Sequence, residues 1–217
     1  VDIVIYLLGV IKETEENKFE GLHYRYVQEL LRFCKGKNIE KFVYFSALGA
    51  ESKATAYFST KLQAEEVVKK SGIPHLIFRP SVMFGRGDKS VNFFIHFIQH
   101  HKVVPYFSTA KIQPVAVRDV VKCVRIALKK KKNKVYEIGG REQFTLGEIY
   151  ALIIRGFGLK RVKMKVPLWF MKSVIVLPNP FLTSDQLKML QIANTTPFNA
   201  EKEFGFKARI NLEEGLK

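Results

Sequence analysis

Residues 41–80 read KFVYFSALGAESKATAYFSTKLQAEEVVKKSGIPHLIFRP, and the order of patterns within them decides the fold. KFVYFS (Lys41–Ser46) is a short aromatic and β-branched run that predicts a buried strand. From Tyr57 to Ser71 the spacing turns helical, with Leu62, Val67 and Val68 on the apolar face and Gly72 placed to cap the end. PHLIFRP (Pro74–Pro80) is a further buried strand, stopped by proline. Upstream, VDIVIYLLG (Val1–Gly9) reads as a strand buried on both faces and ended by glycine. Leu22, Tyr26, Leu30 and Phe33 then recur at three- and four-residue spacing, an amphipathic helix stopped by KGKN around Gly36. Strand, helix, strand, helix, strand with short links predicts an α/β fold, a parallel sheet flanked by helices.

Beyond Pro80 the pattern loosens. VNFFIHFIQHH predicts a helix with Phe93, Phe94 and Phe97 facing inward. Its His96 and His100 have i, i+4 spacing with His101 beside them, but no carboxylate or cysteine lies near enough in sequence to complete a zinc set. QPVAVRDVVKCVRIAL combines a short strand with a helix opening near Asp119, whose carboxylate suits a first turn. KVYEIGG (Lys134–Gly140) is another strand. FTLGEIYALII opens a helix with Thr145 as cap and Glu148 three residues on, a capping-box pattern. We expect residues 1–140 to form the sheet domain, with segments near 85–115 on its substrate side, and 141–217 to form a small, mainly helical C-terminal region.

A chain of 217 residues with 47% hydrophobic and 26% charged residues has enough apolar material for a sizeable core. Cys34 and Cys123 are too few for a disulfide scaffold and read as buried thiols of a reducing compartment. No apolar run reaches bilayer-spanning length and no signal peptide is visible, so the expected setting is the cytoplasm. The net charge of +16 raises nucleic acid as a partner. However, KKKKNK (Lys129–Lys134) has no interleaved aromatics and reads as a solvated helix end, which disfavours it. KRVKMK (Lys160–Lys165) differs, because it leads into VPLWFMKSVIVLPNPFL (Val166–Leu182), which holds the sole tryptophan and is broken by Pro167, Pro178 and Pro180. A basic flank beside a Trp/Phe/Leu-rich segment suits a peripheral contact with a membrane surface or a membrane complex through residues 160–182. A helix covering a pocket would have the same composition.

Chemistry enters at Ser46, Tyr57 and Lys61. With Ser46 ending one strand and Tyr57 starting the next helix, both face the crevice beyond the carboxyl ends of the strands, where open α/β sheets bind ligands. Tyr57 and Lys61, at i and i+4, share a helix face. A nearby ammonium favours the phenolate and lowers the tyrosine's pKa, so that it can exchange a proton with a substrate alcohol or ketone. The serine hydroxyl can hold the same substrate oxygen. Alone, Y-x-x-x-K is a weak signal. Its value comes from the preceding strand that delivers Ser46 and from FRPSVMFGRGD, which follows at the expected distance.

FVYFSALGA, AYFSTKLQAEE, IFRPSVMFGRGD and QPVAVRDVV occur in the order and spacing of the extended and atypical short-chain dehydrogenases/reductases, which include the NAD-dependent epimerase/dehydratase proteins. The sequence most resembles the branch of the nucleotide-binding accessory subunit of respiratory complex I and its bacterial relatives, PNPFLTSDQLKMLQIANT included. The resemblance implies a Rossmann-like sheet binding NAD or NADP, with NADP preferred, and a small C-terminal part over an unidentified small-molecule substrate. It implies that Ser46, Tyr57 and Lys61 are catalytic and that Leu8, Gly9, Tyr57, Lys61, Pro80, Ser81 and Val82 line the cofactor. The implied function is an oxidoreductase or epimerase-like enzyme acting on a carbonyl or hydroxyl group. The alternative is a non-catalytic NAD(P)H-binding structural or assembly protein of a membrane-associated respiratory complex.

Two features depart from the family. The glycine fingerprint that lets a pyrophosphate approach a helix N-terminus is missing. Val1–Gly9 matches the family's fourth strand, so we expect the glycine loop and the residue choosing NAD or NADP upstream of Val1. Without them the sheet would expose an apolar edge and dinucleotide binding would be severely weakened. The second departure is His23 in GLHYRYVQEL, where many members carry asparagine. It marks the complex I-like branch or is a surface histidine on a helix.

Overall fold

The structure, a computed structural model, describes residues 2–107, 109–130, 133–176, 183–198, 200–206, 208 and 211–215. In chain order the elements are β1 (Ile3–Tyr6), a π-helical turn (Glu20–Arg25) running into α1 (Tyr26–Cys34), β2 (Lys41–Phe45), α2 (Ala56–Lys70) and β3 (His75–Pro80). There follow β4 (Met83–Phe84), α3 (Val91–His100), β5 (Val103–Tyr106), β6 (Lys111–Ile112), β7 (Val115–Ala116), α4 (Val117–Leu128) and β8 (Lys134–Ile138). β9 (Phe144–Thr145), α5 (Leu146–Gly156), β10 (Val162–Lys165), α6 (Leu168–Val176), α7 (Ser184–Met189), α8 (Ala200–Phe204) and α9 (Leu212–Gly215) complete the described elements.

The chain divides into two compact units, residues 1–80 with 124–138, and residues 81–123 with 139–217. The first is built on a parallel sheet in the order β1-β2-β3-β8, with Ile5 opposite Val43, Val43 opposite Leu76 and Ile77 opposite Val135. β3 is buried along its whole length and β2 nearly so, which explains their unbroken apolar sequences. α1 and α2 cover one face, packing Val27, Leu31, Ala64 and Val68 on Tyr6, Phe42, Tyr44 and Ile77. Lys41, itself buried, donates to the carbonyls of Leu128 (3.1 Å) and Lys130 (2.6 Å), and so caps the end of α4.

A buried ionic knot holds α2 to the sheet. Arg79 on β3 grips Glu65 of α2 through Nε–Oε1 at 2.8 Å and Nη2–Oε2 at 2.7 Å. Its Nη1 reaches Glu51, in the loop after β2, at 2.6 Å. Arg79 in turn holds the Glu51 carboxyl below the usual carboxylate range.

The second unit has its own core of Phe84, Ile98, Val104, Ile112, Leu146, Ile149 and Ile153. Its strands form three short pairs, β4 with β7, β5 with β10, and β6 with β9. Thr145 and Glu148 form the expected capping box at the start of α5.

Three expectations need correction. β1 is buried on one face only: Tyr6 is covered, whereas Ile3 and Ile5 stand exposed on the opposite face. The helix before β2 buries Phe19, His23, Val27, Leu31 and Cys34, while Tyr26 and Phe33 of the expected stripe are exposed. The two stripes share the same four- and three-residue spacing and lie one position apart, so spacing alone could not choose between them. The turn ahead of α1 is π-helical, the Tyr26 N–H bonding Gly21 O rather than the carbonyl four residues back. In α3, Phe94 and Phe97 pack against the core of the second unit, but Phe93 is exposed and Val91 and Ile98 are the buried residues. Both cysteines are free and buried. Parts of KKKKNK (131–132) and of the apolar segment ending at Leu182 (177–182) lie outside the described residues.

Candidate functional site

The carboxyl ends of β1, β2 and β3 lie together because the three strands are parallel neighbours in register. Leu8 and Gly9 follow β1, Ser46 follows β2 at once, and Pro80 ends β3. The Leu48 N–H bonds the Pro80 carbonyl at 3.0 Å, fastening the loop after β2 to the end of β3. Thr55 then caps α2, its hydroxyl accepting the Phe58 N–H at 3.2 Å, so Tyr57 falls in the first helical turn and Lys61 one turn later.

Lys61 is buried and its Nζ donates to the carbonyl of Phe45, the residue before Ser46, at 2.9 Å. The ammonium also stands 5.3 Å from the centre of the Tyr44 ring. Burial pulls its pKa from 10.5 to about 8, against the opposing charge of Glu65. A Cβ on Gly9 would meet Lys61 Nζ at 3.2 Å and His23 Nε2 at 3.4 Å, so the bare backbone at Gly9 is what admits both groups.

His23 is fully buried, so the surface-histidine reading is wrong. Its Nε2 accepts the Val10 N–H at 3.2 Å, which leaves the proton on Nδ1, facing Thr60 Oγ1 at 3.1 Å. Thr60 in turn contacts the carbonyls of Ala56 (2.9 Å) and Tyr57 (3.1 Å). Burial first, and the Lys61 ammonium second, hold the imidazole neutral with a pKa of about 3. Above it, the Tyr6 hydroxyl donates to Leu22 O and the Tyr44 hydroxyl to His23 O, at 3.3 Å in the latter case. The sheet thereby takes up two carbonyls of the π turn, and His23 is fixed between β1 and α2.

Tyr57 is half-buried and meets Phe19, His23 and Phe58 edge-on, with ring centres 5.3–5.7 Å apart. Its hydroxyl has no hydrogen-bond partner among the described residues. Burial pushes its pKa up to about 12. The expected lowering by Lys61 does not appear, because that ammonium is directed at the Phe45 carbonyl. Ser46 is buried and its Oγ has no partner among the described residues. An unsatisfied buried hydroxyl costs about 1–3 kcal/mol, which an arriving oxygen or nitrogen would offset.

Leu8, Gly9, Ser46, Tyr57, Lys61 and Pro80 thus belong to one unit. Ser81 and Val82 open the other, where the Ser81 hydroxyl is taken by Asn194 O at 3.2 Å and by Asn194 Oδ1, and Val82 O accepts the Val115 N–H at 2.9 Å. Thr60, Val10 and the two tyrosines were not legible as site residues. Their only sequence signal is position: Thr60 precedes Lys61 on a helix, and Tyr6 and Tyr44 sit two residues before Leu8 and Ser46.

A parallel sheet with helices between its strands, and polar side chains gathered at the strands' carboxyl ends, defines a Rossmann-like α/β protein. Residues 1–139 match the family described as NAD dependent epimerase/dehydratase, and the chain belongs to that family. It is 30% identical over 212 residues to the mitochondrial NADH dehydrogenase (ubiquinone) 1 alpha subcomplex subunit 9 of Arabidopsis thaliana, covering 92% of this chain and 52% of the relative. The Dictyostelium discoideum protein of the same name is 29% identical over 179 residues, covering 80% of this chain and 49% of the relative. This chain therefore spans about half the length of the curated relatives it matches. Among solved structures, UDP-glucuronic acid 4-epimerase from Bacillus cereus in complex with NAD superposes with a TM-score of 0.76 at 19% identity, covering 100% of this chain and 72% of the epimerase. At that identity the likeness establishes the fold.

Proposed function

We propose that this chain carries the catalytic and nicotinamide-side residues of an NAD-binding oxidoreductase or epimerase-like enzyme acting on a carbonyl or hydroxyl group. The observation that carries the reading is the pairing of a buried hydroxyl with no partner among the described residues, Ser46, with a buried ammonium, Lys61, anchored one residue away on Phe45. A buried polar group left without a partner is rare in native folds and suits a position that a ligand completes.

The residues fit a nicotinamide nucleotide. Lys61 spends one of its three donors on Phe45 and keeps two for ribose hydroxyls. Gly9 leaves the backbone bare beside it, and Leu8 offers an exposed apolar side chain to a ring face. When bound, the dinucleotide supplies or accepts the hydride. Ser46 orients the substrate oxygen, and Tyr57 gives or takes the proton at its hydroxyl. With its pKa at about 12, Tyr57 is built to start as the proton donor, the role a carbonyl reduction needs.

Cofactor and turnover are tested together. NAD and NADP are titrated separately against the full-length protein, and turnover on carbonyl substrates is compared with Tyr57→Phe. We expect dinucleotide affinity to survive the substitution and turnover to fall at least 100-fold, within the range that general acid–base groups contribute. Absence of dinucleotide binding by the full-length protein would overturn the reading.

A second reading is favoured by the surface of the other unit. β10 is exposed along its whole length, as are Trp169 and Phe170 of α6. The relatives named above are subunits of a mitochondrial NADH dehydrogenase. A protein that holds the dinucleotide while docked peripherally at a membrane complex, without turnover, fits that surface. Bound NAD with no Tyr57-dependent turnover decides for it. Among the described residues no helix is long and apolar enough to cross a membrane.

A further inference from the structure

We propose that the outer face of the β5/β10 pair, continued by α6, is a docking surface for an anionic lipid bilayer. β10 runs parallel to β5, with Val162 opposite Val103 and Met164 opposite Pro105. Paired residues point to the same side of a ladder and their neighbours to the other. The inner side is occupied: Val104 is fully buried, and Lys163 Nζ donates to the Gly147 carbonyl at 3.1 Å. The outer side is apolar and open, with Val103 47%, Val162 65% and Met164 47% exposed. The buried Val166 closes the strand, its N–H bonded to Tyr106 O at 2.9 Å, and α6 begins directly after it with Trp169 69% and Phe170 44% exposed. Four large apolar side chains left open along β10 and α6, with Val103 of β5 beside them, form a patch of the kind that marks an interaction site.

Charge selects the occupant. In the sequence, the ranges 89–118 and 149–184, which include β5, β10 and α6, contain no aspartate or glutamate. Lys102, Lys160 and Lys172 are exposed there and have no carboxylate partner among the described residues. Arg161 is held structurally, donating to the carbonyls of Ile98 (2.8 Å) and Gln99 (2.7 Å). Free lysines rimming a Val/Met/Trp/Phe strip match acidic headgroups above an acyl boundary, with the long lysine stems able to lie on the apolar surface. Nucleic acid would satisfy the lysines and leave Val162 and Met164 exposed. The surface is independent of the dinucleotide reading, and its test needs no cofactor.

Trp169 is the sole tryptophan, so its fluorescence reports this face directly. Full-length protein is titrated with vesicles of phosphatidylcholine alone and of phosphatidylcholine with phosphatidylglycerol, with and without brominated acyl chains. We expect a blue shift and bromine quenching only with the anionic vesicles. Phe170→Ser and the double change Val162→Thr with Met164→Thr should each weaken partition about tenfold, as should Lys160→Glu with Lys172→Glu. Because these positions are exposed, circular dichroism and the melting temperature should stay as in the parent. No vesicle response overturns the proposal. Sedimentation with anionic vesicles while Trp169 emission stays unchanged also overturns it, and assigns the contact to lysines elsewhere. An equal Trp169 response to an oligonucleotide, or a shift without lipid that tracks self-association, overturns it in favour of nucleic acid or a second copy of the chain.

Discussion

Replacing Lys61 by methionine should stabilise this protein at neutral pH and cost it the site. Burial draws the folded-state pKa of Lys61 from 10.5 to about 8. At about 1.4 kcal/mol per pH unit, keeping the buried ammonium charged below pH 8 costs the fold on the order of 3 kcal/mol. Methionine fills similar space without the charge, but the Phe45 carbonyl loses its donor, which returns about 1–2 kcal/mol of that gain. The net effect at pH 7 is a stabilisation of about 1–2 kcal/mol. For a chain of this size that corresponds to a rise in Tm of roughly 2–8 °C.

The pH dependence is the sharper test. Between pH 8 and 10.5 the unfolded lysine still holds a proton that the folded one has released. Parent stability therefore climbs through that window, whereas Lys61→Met has no such climb. Urea unfolding followed by far-ultraviolet circular dichroism, at half-unit steps from pH 7 to 10, gives the difference directly, and other titrating groups cancel. Parallel pH profiles for the two proteins, or a variant less stable than the parent at pH 7, would refute the reasoning.

Three further outcomes follow from the same geometry. His23→Asn should flatten the loss of stability on acidification, because in the parent the unfolded histidine takes a proton below about pH 6.5 that the folded one refuses until about pH 3; equal acid midpoints would contradict this. Glu65→Gln breaks the buried grip of Arg79 and should cost about 3–5 kcal/mol, while Glu65→Leu combined with Arg79→Met should recover most of it, both read from urea midpoints. Tyr44→Phe removes the hydroxyl that bonds the His23 carbonyl and should cost about 0.5–1.5 kcal/mol, with a larger loss of dinucleotide affinity than a half-buried Tyr24→Phe control shows by titration.

How far the sequence could be read depended on which contacts were local. The parallel sheet was legible because β2 and β3 are buried on both faces and write that burial as unbroken apolar runs. Ser46, Tyr57 and Lys61 were legible because strand end and helix spacing place them. β1 carries the same kind of run but covers only one face, since apolarity records what a strand can bury and says nothing of what lies over it. The helix before β2 misled for another reason. The expected stripe of Leu22, Tyr26, Leu30 and Phe33 and the buried one of His23, Val27, Leu31 and Cys34 have the same spacing one position apart, so periodicity alone could not choose the polar-looking set that contains His23. The direction of the Tyr57 shift was missed because Lys61 has a competing acceptor, Phe45 O, that only the fold brings within reach.

The π turn also sets a rule for comparing and recombining this chain with others. It holds one residue more than a regular helical turn would, between Phe19 and α1. A chimera that borrows residues 19–34 from a relative without the turn would arrive with one position too few. His23 would swing by about 100°, one helical step, away from Val10 and Thr60. Junctions should therefore fall before Glu13 or after Cys34, and an alignment gap, where one is needed, belongs at Gly21.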